Sequence, residues 1–464
     1  VVDSTLINEL ERRVGTGRVS HGAGINDDDL HDESLHRRPR VPMAVVRPRS
    51  TAEVVEIARF ASEHQIPIVP RGSGTGLSGG ATPVTGGLVV SFSDMNAVLR
   101  IDDRDHVAVV QPGITLRELD EALAASDLRY PVYPGEMSAS LGGNVNTNAG
   151  GMRAVRHGVT RQHVLGLELV LMDGTVLRTG GSVVKSSSGY DLTQLVVGSE
   201  GTLAMVTEIT LRLSPRLDHG ATILVPFATL DQVTNVVSPI LSSGLAPSIL
   251  EYVDLVAMSS ITARMGLDLG IAKDVAAATL AYLVIVLETR TREQLDGDIE
   301  TLGELLADAG ALETYVLPSA AATRLIEARE QLFWSSKEAG ANDIIDIVVP
   351  RSAVPQFLAD ATAIAQRYGV FFAGCGHVGD GNVHLSVLEN DEVKRNQFLD
   401  ELFAYGVGLG GAISGEHGIG LDKKAAFLAL SDPVSLALQR SIKSVFDPQG
   451  LLNPYRLLDE RELP

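Results

Sequence analysis

The chain has 464 residues, 45% of them hydrophobic, which is enough for a sizeable core and two or three domains. Its formal net charge of −20 argues against a nucleic-acid partner, whose phosphates need clustered Lys and Arg, but leaves room for an anionic substrate held by a few local cations. A single cysteine, Cys375, excludes an intrachain disulfide, and no apolar run is long enough to cross a membrane. The opening residues lack the charged-then-apolar layout of a secretory signal, so a soluble, cytoplasmic protein is expected. Peripheral membrane contact and a homodimer are left open.

Up to about Pro215 the chain is rich in Gly, Val and Asn. Strands are predicted at residues 43–47, 66–70, 88–91, 107–110, 167–171, 195–197 and 203–213. Helices are predicted at 51–63, where Ser50 and Glu53 form a capping-box pattern, and at 115–126, with Thr115 and Glu118 at its start. Asp173-Gly174 reads as a hairpin turn. Beyond about Gly220, strands at 221–225, 248–252, 280–287, 314–317, 344–349 and 370–373 alternate with helices at 230–242, 291–309, 320–339, 353–368 and 391–407. That alternation predicts a mixed sheet covered by helices on one face. A last helix is predicted at 433–446.

Pro70-Arg71-Gly72-Ser73-Gly74-Thr75-Gly76 follows a short apolar strand. Its glycines let backbone N–H groups approach a phosphate closely. Gly74-x-Gly76-x-x-Gly79 also satisfies the dinucleotide fingerprint, but that fingerprint must open a helix. Here Gly80-Ala81-Thr82-Pro83 leads to another strand, so the nicotinamide reading fails. A Walker loop fails as well, because no Gly-Lys-Ser/Thr follows. A second segment, 134–151, carries many backbone donors and Asn144, Asn146 and Asn148. It is poor in helix propensity and suits wrapping of a polar, planar ligand.

Together with Val197-Gly198-Ser199-Glu200-Gly201-Thr202-Leu203, these segments resemble, in order and spacing, the FAD-binding domain of vanillyl-alcohol-oxidase-type flavoproteins. The second half resembles the C-terminal domain of D-lactate dehydrogenases, glycolate oxidase subunits and D-2-hydroxyglutarate dehydrogenases. The resemblance implies an α+β fold. A two-subdomain FAD-binding domain would span residues 1–215. A substrate- and metal-binding cap with a helix-covered mixed or antiparallel sheet would span 216–425. A C-terminal helical segment, 426–464, would return to the FAD domain. It also implies that Pro70 to Gly76 hold the pyrophosphate. Pro134, Gly135, Ser140, Gly142, Gly143, Asn146, Asn148, Ala149 and Gly150 would contact the flavin and ribityl chain. Glu200, Gly201, Val206 and Asn453 complete the implied cofactor set. Covalent members often carry a His in the first loop; this loop has none, which implies noncovalent FAD.

Gly376-His377-Val378-Gly379-Asp380-Gly381-Asn382-Val383-His384 reads as a hairpin about Asp380-Gly381. Counting outward pairs His377 with His384 on one face, with Cβ atoms about 4.5–5.5 Å apart, close enough to share a metal. Ser414-Gly415-Glu416-His417-Gly418 offers a carboxylate and another imidazole. Nothing local brings Glu416 to His377; the resemblance supplies that link. It implies a divalent metal, zinc or manganese, on His377, His384 and Glu416, with His417 as base and Arg329 on the substrate carboxylate. The activity implied is oxidation of a D-2-hydroxy acid to the 2-oxo acid, with electrons passed to an unidentified acceptor. Relatives specific for 2-hydroxyglutarate carry a Thr, a Lys and an Asn where this chain has Phe333, Ile344 and Ser386. That favours D-lactate, glycolate or a longer apolar D-2-hydroxy acid. An oxidase of another alcohol on the same scaffold and a flavin electron-transfer subunit remain as alternatives.

Overall fold

The computed structural model describes residues 4–36, 39–459 and 461. Ala44–Val46, Leu88–Ser91 and Ile68–Arg71 lie side by side as parallel strands, with Val19–Ser20 antiparallel at one edge. Parallel strands of one sheet need a crossover, and helix Thr51–His64 supplies it between Ala44–Val46 and Ile68–Arg71, which flank Leu88–Ser91. The Ser50 hydroxyl accepts from the Glu53 N–H at its start, and Gln65, in the left-handed region at φ 55°, ends it. The helix buries Val54, Ile57, Ala58 and Ala61, sharing a core with Ile7 and Leu10 of helix Ser4–Val14. The end of the chain returns to this sheet. The Ile68 N–H donates to Leu451 O (2.9 Å) and the Asn453 N–H donates to Ile68 O (2.7 Å).

A second, antiparallel sheet runs in the order Val98–Asp102, Val107–Val110, Met205–Arg212, Val164–Val170, Val176–Gly180. Its two edge strands escape sequence patterning because each places most of its residues at or near solvent and so carries no apolar run. Asp173-Gly174 does lie in the hairpin joining Val164–Val170 to Val176–Gly180. Of residues 195–197, expected as a strand, Leu195 and Val196 instead end helix Leu192–Val196 and Val197 is its extended C-cap. Asp191 caps that helix by accepting from the Gln194 N–H (3.0 Å), a start signal that the short apolar run obscures.

The third sheet has seven strands in the order Tyr315–Val316, His219–Phe227, Ala281–Thr289, Ile249–Asp254, Phe371–Gly376, Asn382–Leu388, Asp343–Val348. Every pairing is antiparallel, which decides between the two sheet types expected. One face packs Ile223, Val225, Ile285, Ile345 and Ile347 against helices Leu230–Ser242, Arg292–Asp308, Val354–Tyr368 and Glu392–Gly408. The opposite face is not bare, as a sheet covered on one side would be. Helices Leu255–Met265, Ser319–Glu330 and Leu332–Glu338 cover Leu224, Val253, Tyr282 and Val284. The rest of that face, toward Asn382–Leu388 and Asp343–Val348, carries Asp346, His384 and Ser386 beside Ile344.

Arg129 of the short strand Leu128–Arg129 clasps Glu288 of the seven-stranded sheet through two 2.7 Å hydrogen bonds. Arg156 donates to the Glu288 carbonyl (3.0 Å). Among the described residues, no helix is long and apolar enough to cross a membrane.

Candidate active site

Strand Ile68–Arg71 delivers the chain into the glycine loop. Gly74 takes φ 80°, which needs glycine, and a Cβ on Gly72 would lie 2.0 Å from Ser140 Oγ. The two glycine-rich segments are zipped together by a reciprocal pair of bonds. The Ser73 N–H donates to Ser140 Oγ (3.2 Å) and the Ser140 N–H donates to Ser73 Oγ (3.0 Å). Part of the second segment is a helix, Leu141–Thr147, against the expectation from propensity. Ser140 caps its start, Asn148 at φ 52° ends it, and Leu141 and Val145, four apart, bury its apolar side. Local caps and tertiary packing override two glycines and two asparagines.

One cavity runs from this loop to the histidine cluster. Pro70, Gly72, Ser73, Gly74, Thr75, Gly76, Pro134, Gly135, Ser140, Gly143, Asn146, Ala149, Gly150, Glu200, Gly201 and Asn453 line it. Four of the expected cofactor residues do not. Arg71 turns away and donates to His31 O (2.7 Å) and Asp28 O (2.6 Å), bracing the neighbouring loop. Gly142 packs on Pro112, Asn148 accepts from the Arg161 N–H (3.0 Å), and Val206 is a core residue paired with Leu169. Asn144 Nδ2, Asn146 Oδ1 and Asn453 Oδ1 are buried without a protein partner, and all three residues line the cavity. Buried amides left open this way, beside loops stripped of side chains, fit a large polar cofactor such as FAD.

The far end of the cavity is built by strand register. Val253 pairs with Cys375, Cys375 with His384, and His384 with Asp346, a row crossing four strands. The two-residue period puts Glu251 and His377 on the same face. His377 does not pair with His384 as the hairpin count expects, because Cys375 holds that position. The favoured two-residue turn needs positive φ at both central residues, and only Gly381 has it (φ 95°). Instead the His377 carbonyl accepts from the N–H groups of Asp380 (3.0 Å), Gly381 (3.2 Å) and Asn382 (3.3 Å). The register therefore moves by two, which preserves the face. The imidazoles of His377 and His384 become diagonal neighbours with centroids 4.9 Å apart.

Asp346, fully buried, gathers the loop that carries Glu416 and His417. Its Oδ2 accepts from Ser414 Oγ (2.7 Å) and from the N–H groups of Gly415 (3.1 Å), Glu416 (3.1 Å) and His417 (2.8 Å). Glu416 Oε1 then lies 3.1 Å from His377 Nε2 and 3.4 Å from His384 Nε2. Ligand atoms held tetrahedrally at the usual zinc distances sit roughly 3.3 Å apart, so this donor set fits a divalent cation. Behind it, His377 Nδ1 bonds Glu251, whose other oxygen accepts from Arg329 Nε (3.1 Å) and forms an ion pair with Nη2 (2.8 Å). The His417 ring stacks on His384 (5.1 Å, 16°), with Nδ1 3.8 Å from Asp346. The second glycine-rich segment lies directly against this cluster, since a Cβ on Gly150 would lie 2.8 Å from Glu416 Oε2. Glu200 ties the two ends together by accepting from the N–H groups of Ile419 and Gly420 (both 2.7 Å).

Burial would raise the carboxyls of Glu251, Asp346 and Glu416, but their imidazole and cationic neighbours hold all three below the ordinary range. Burial opposes charge on His377, yet Glu251 and Glu416 on either side hold its pKa well above the usual value. His417 goes the other way. Burial outweighs Asp346 and pushes it down to about 4, leaving a neutral imidazole near pH 7.

Residues 42–180 match the family described as FAD binding domain, and residues 216–457 match FAD linked oxidases, C-terminal domain. The chain belongs to the FAD-linked oxidase family. It is 51% identical to an uncharacterised FAD-linked oxidoreductase of Mycobacterium tuberculosis, over 95% of this chain and 96% of the relative. It is 36% identical to glycolate oxidase subunit GlcD of Bacillus subtilis (90% and 89% covered) and 34% identical to a D-lactate dehydrogenase of Anaerostipes hadrus (97% and 96%). The solved structure of p-cresol methylhydroxylase with substrate bound superposes with a TM-score of 0.81 at 18% identity, covering 98% of this chain and 96% of the other. The fold is that of the vanillyl-alcohol-oxidase-type flavoproteins, and its FAD-binding domain makes FAD the cofactor.

In this FAD-linked oxidase the expected helix 320–339 breaks at Gln331 into Ser319–Glu330 and Leu332–Glu338. Residues on an unbroken helix rotate about 100° each, so Arg329, Glu330, Leu332, Phe333 and Trp334 could not all face one cavity; with the break, all five line it. Ile344 and Ser386, cross-strand partners, line it too. Two residues of the cluster, Glu251 and Asp346, escape motif reading. The signal was a lone acid inside an apolar strand, Ile249-Leu250-Glu251-Tyr252-Val253 and Ile344-Ile345-Asp346-Ile347-Val348. A buried carboxylate there must be paired.

Proposed function

We propose that this protein oxidises a D-2-hydroxy acid to the 2-oxo acid. The observation that carries the proposal is the joining of two sites in one cavity. The His377, His384, Glu416 and His417 cluster opens into the space lined by the glycine loop and the Asn146–Gly150 segment. FAD, when bound, supplies a two-electron acceptor for the hydrogen on the substrate Cα. A divalent cation, zinc or manganese, held by His377, His384 and Glu416, would polarise the substrate hydroxyl and lower its pKa. His417, neutral and against the same cavity, takes the hydroxyl proton on its Nε2. Arg329 binds the carboxylate. Glu251 already occupies its Nε and Nη2, so the substrate meets the guanidinium edge that includes Nη1. The wall formed by Leu332, Phe333, Trp334 and Ile344 is apolar, and Lys337 near it is paired with Glu33 (2.9 Å). This supports lactate or a longer apolar side chain over a second carboxylate. With no histidine in residues 70–80, FAD is held noncovalently.

The test is anaerobic addition of D-lactate, glycolate, D-2-hydroxyisocaproate and D-2-hydroxyglutarate to the FAD-loaded protein, followed at the flavin absorbance. Bleaching by the apolar D-acids is expected. No bleaching by any D-2-hydroxy acid, with activity on another alcohol unaffected by chelator, would replace the proposal with an oxidase of that alcohol.

A further inference from the structure

We propose that Glu251 is a positioning residue that fixes His377 for metal ligation and ties it to Arg329. Glu251 sits in an apolar strand with its side chain 1% exposed, a place where a carboxylate persists only with partners on both oxygens. It has them. Oε1 bonds His377 Nδ1, and Oε2 accepts from Arg329 Nε (3.1 Å) and forms an ion pair with Nη2 (2.8 Å). The pairing follows from register. Tyr252 pairs with Gly376, so Glu251 lies opposite His377 one step beyond the ladder. With a proton on Nδ1 donated to Glu251, Nε2, 3.1 Å from Glu416 Oε1, is the nitrogen that ligates once a cation displaces its proton. A carboxylate behind a ligating imidazole also raises its basicity. The same carboxylate neutralises one edge of Arg329, which would otherwise set an unbalanced cation close to the cation site.

This assignment rests on the metal reading of the proposed function. The experiment measures zinc affinity, not turnover. FAD-loaded full-length protein is stripped with chelator, and zinc is titrated in competition with a chromophoric chelator. Glu251→Ala is expected to weaken zinc binding about 10–100-fold with flavin content unchanged. Glu251→Gln keeps an acceptor for Nδ1 but not the charge, and should lose roughly 5–10-fold. Wild-type zinc affinity in Glu251→Ala overturns the assignment while the metal site stands. Should Glu251→Ala fail to retain FAD, Glu251→Gln decides alone, and wild-type affinity there overturns it. A wild-type protein that binds neither zinc nor manganese removes the metal reading and this inference together.

Discussion

The two ends of the cavity are built on opposite principles. The glycine-loop end is mostly local and mostly neutral. Gly72, Gly74, Ser73 and Ser140 come from two short segments, and the cradle is main chain, hydroxyls and amides. The substrate end is charged and nonlocal. Glu251, Arg329, Asp346, His377, His384 and Glu416 arrive from separate strands, helices and loops, and each buried charge faces an opposite one. The neutral end gains from the absence of side chains, whereas the charged end survives only because every charge is answered. Damage should therefore look different at the two ends. A bulky residue in the cradle should lose the cofactor, while a missing charge in the cluster should keep the cofactor and lose chemistry.

The largest effect should come from His417→Ala. Loss of a general base lowers the rate of flavin reduction by about 10²–10⁴ while FAD stays bound. A stopped-flow trace with the wild-type rate would remove His417 from the role. Gly72→Val makes the opposite break. Its Cβ would enter Ser140 Oγ at 2.0 Å, so purified protein should carry little or no flavin, read from the ratio of visible to ultraviolet absorbance. Arg329→Leu should raise KM for the hydroxy acid about 10–100-fold, the scale of a lost charge-assisted bond beside an orphaned Glu251. Unchanged KM would leave Arg329 as no more than the partner of Glu251.

A smaller change tests the junction between the two ends. Arg129 and the other nearby guanidinium groups outweigh the effect of burial and hold Glu288 down at about 2, against an ordinary 4.5. A folded-state pKa below the unfolded one stabilises the fold above about pH 4.5, and that contribution fades as pH falls towards 2. Glu288→Gln should cost roughly 2–3 kcal/mol at pH 7, less as pH falls through this window, measured by denaturant unfolding. An equal cost at pH 7 and pH 3 would mean the ion pair contributes nothing.

The same contrast explains what could be read from the chain beforehand. Gly72, Ser73, Gly74 and Gly76 announce their backbone role locally, and the absence of a helix after them excludes the nicotinamide fingerprint. Helix Leu141–Thr147 was hidden because its caps, Ser140 and Asn148, and its packing outweigh weak propensity. His377, His384 and Glu416 were visible as residue types, but their meeting depends on register and on the Asp346 clamp, which sequence spacing does not encode. The hairpin count reached the correct face from the wrong pairing, because an error of two residues leaves a strand's face unchanged. Arg71 and Val206 sit inside the segments that carry the resemblance yet point away from the cavity, since segment resemblance does not fix side-chain direction.

On this reading the cradle and the cluster act as one site. It is tested most directly by flavin absorbance under anaerobic addition of D-lactate or D-2-hydroxyisocaproate, before chelation, after chelation and after zinc or manganese is restored. Bleaching that disappears with chelator and returns with metal, at constant FAD content, is the predicted result. Bleaching of equal rate and extent in the chelated protein would contradict it.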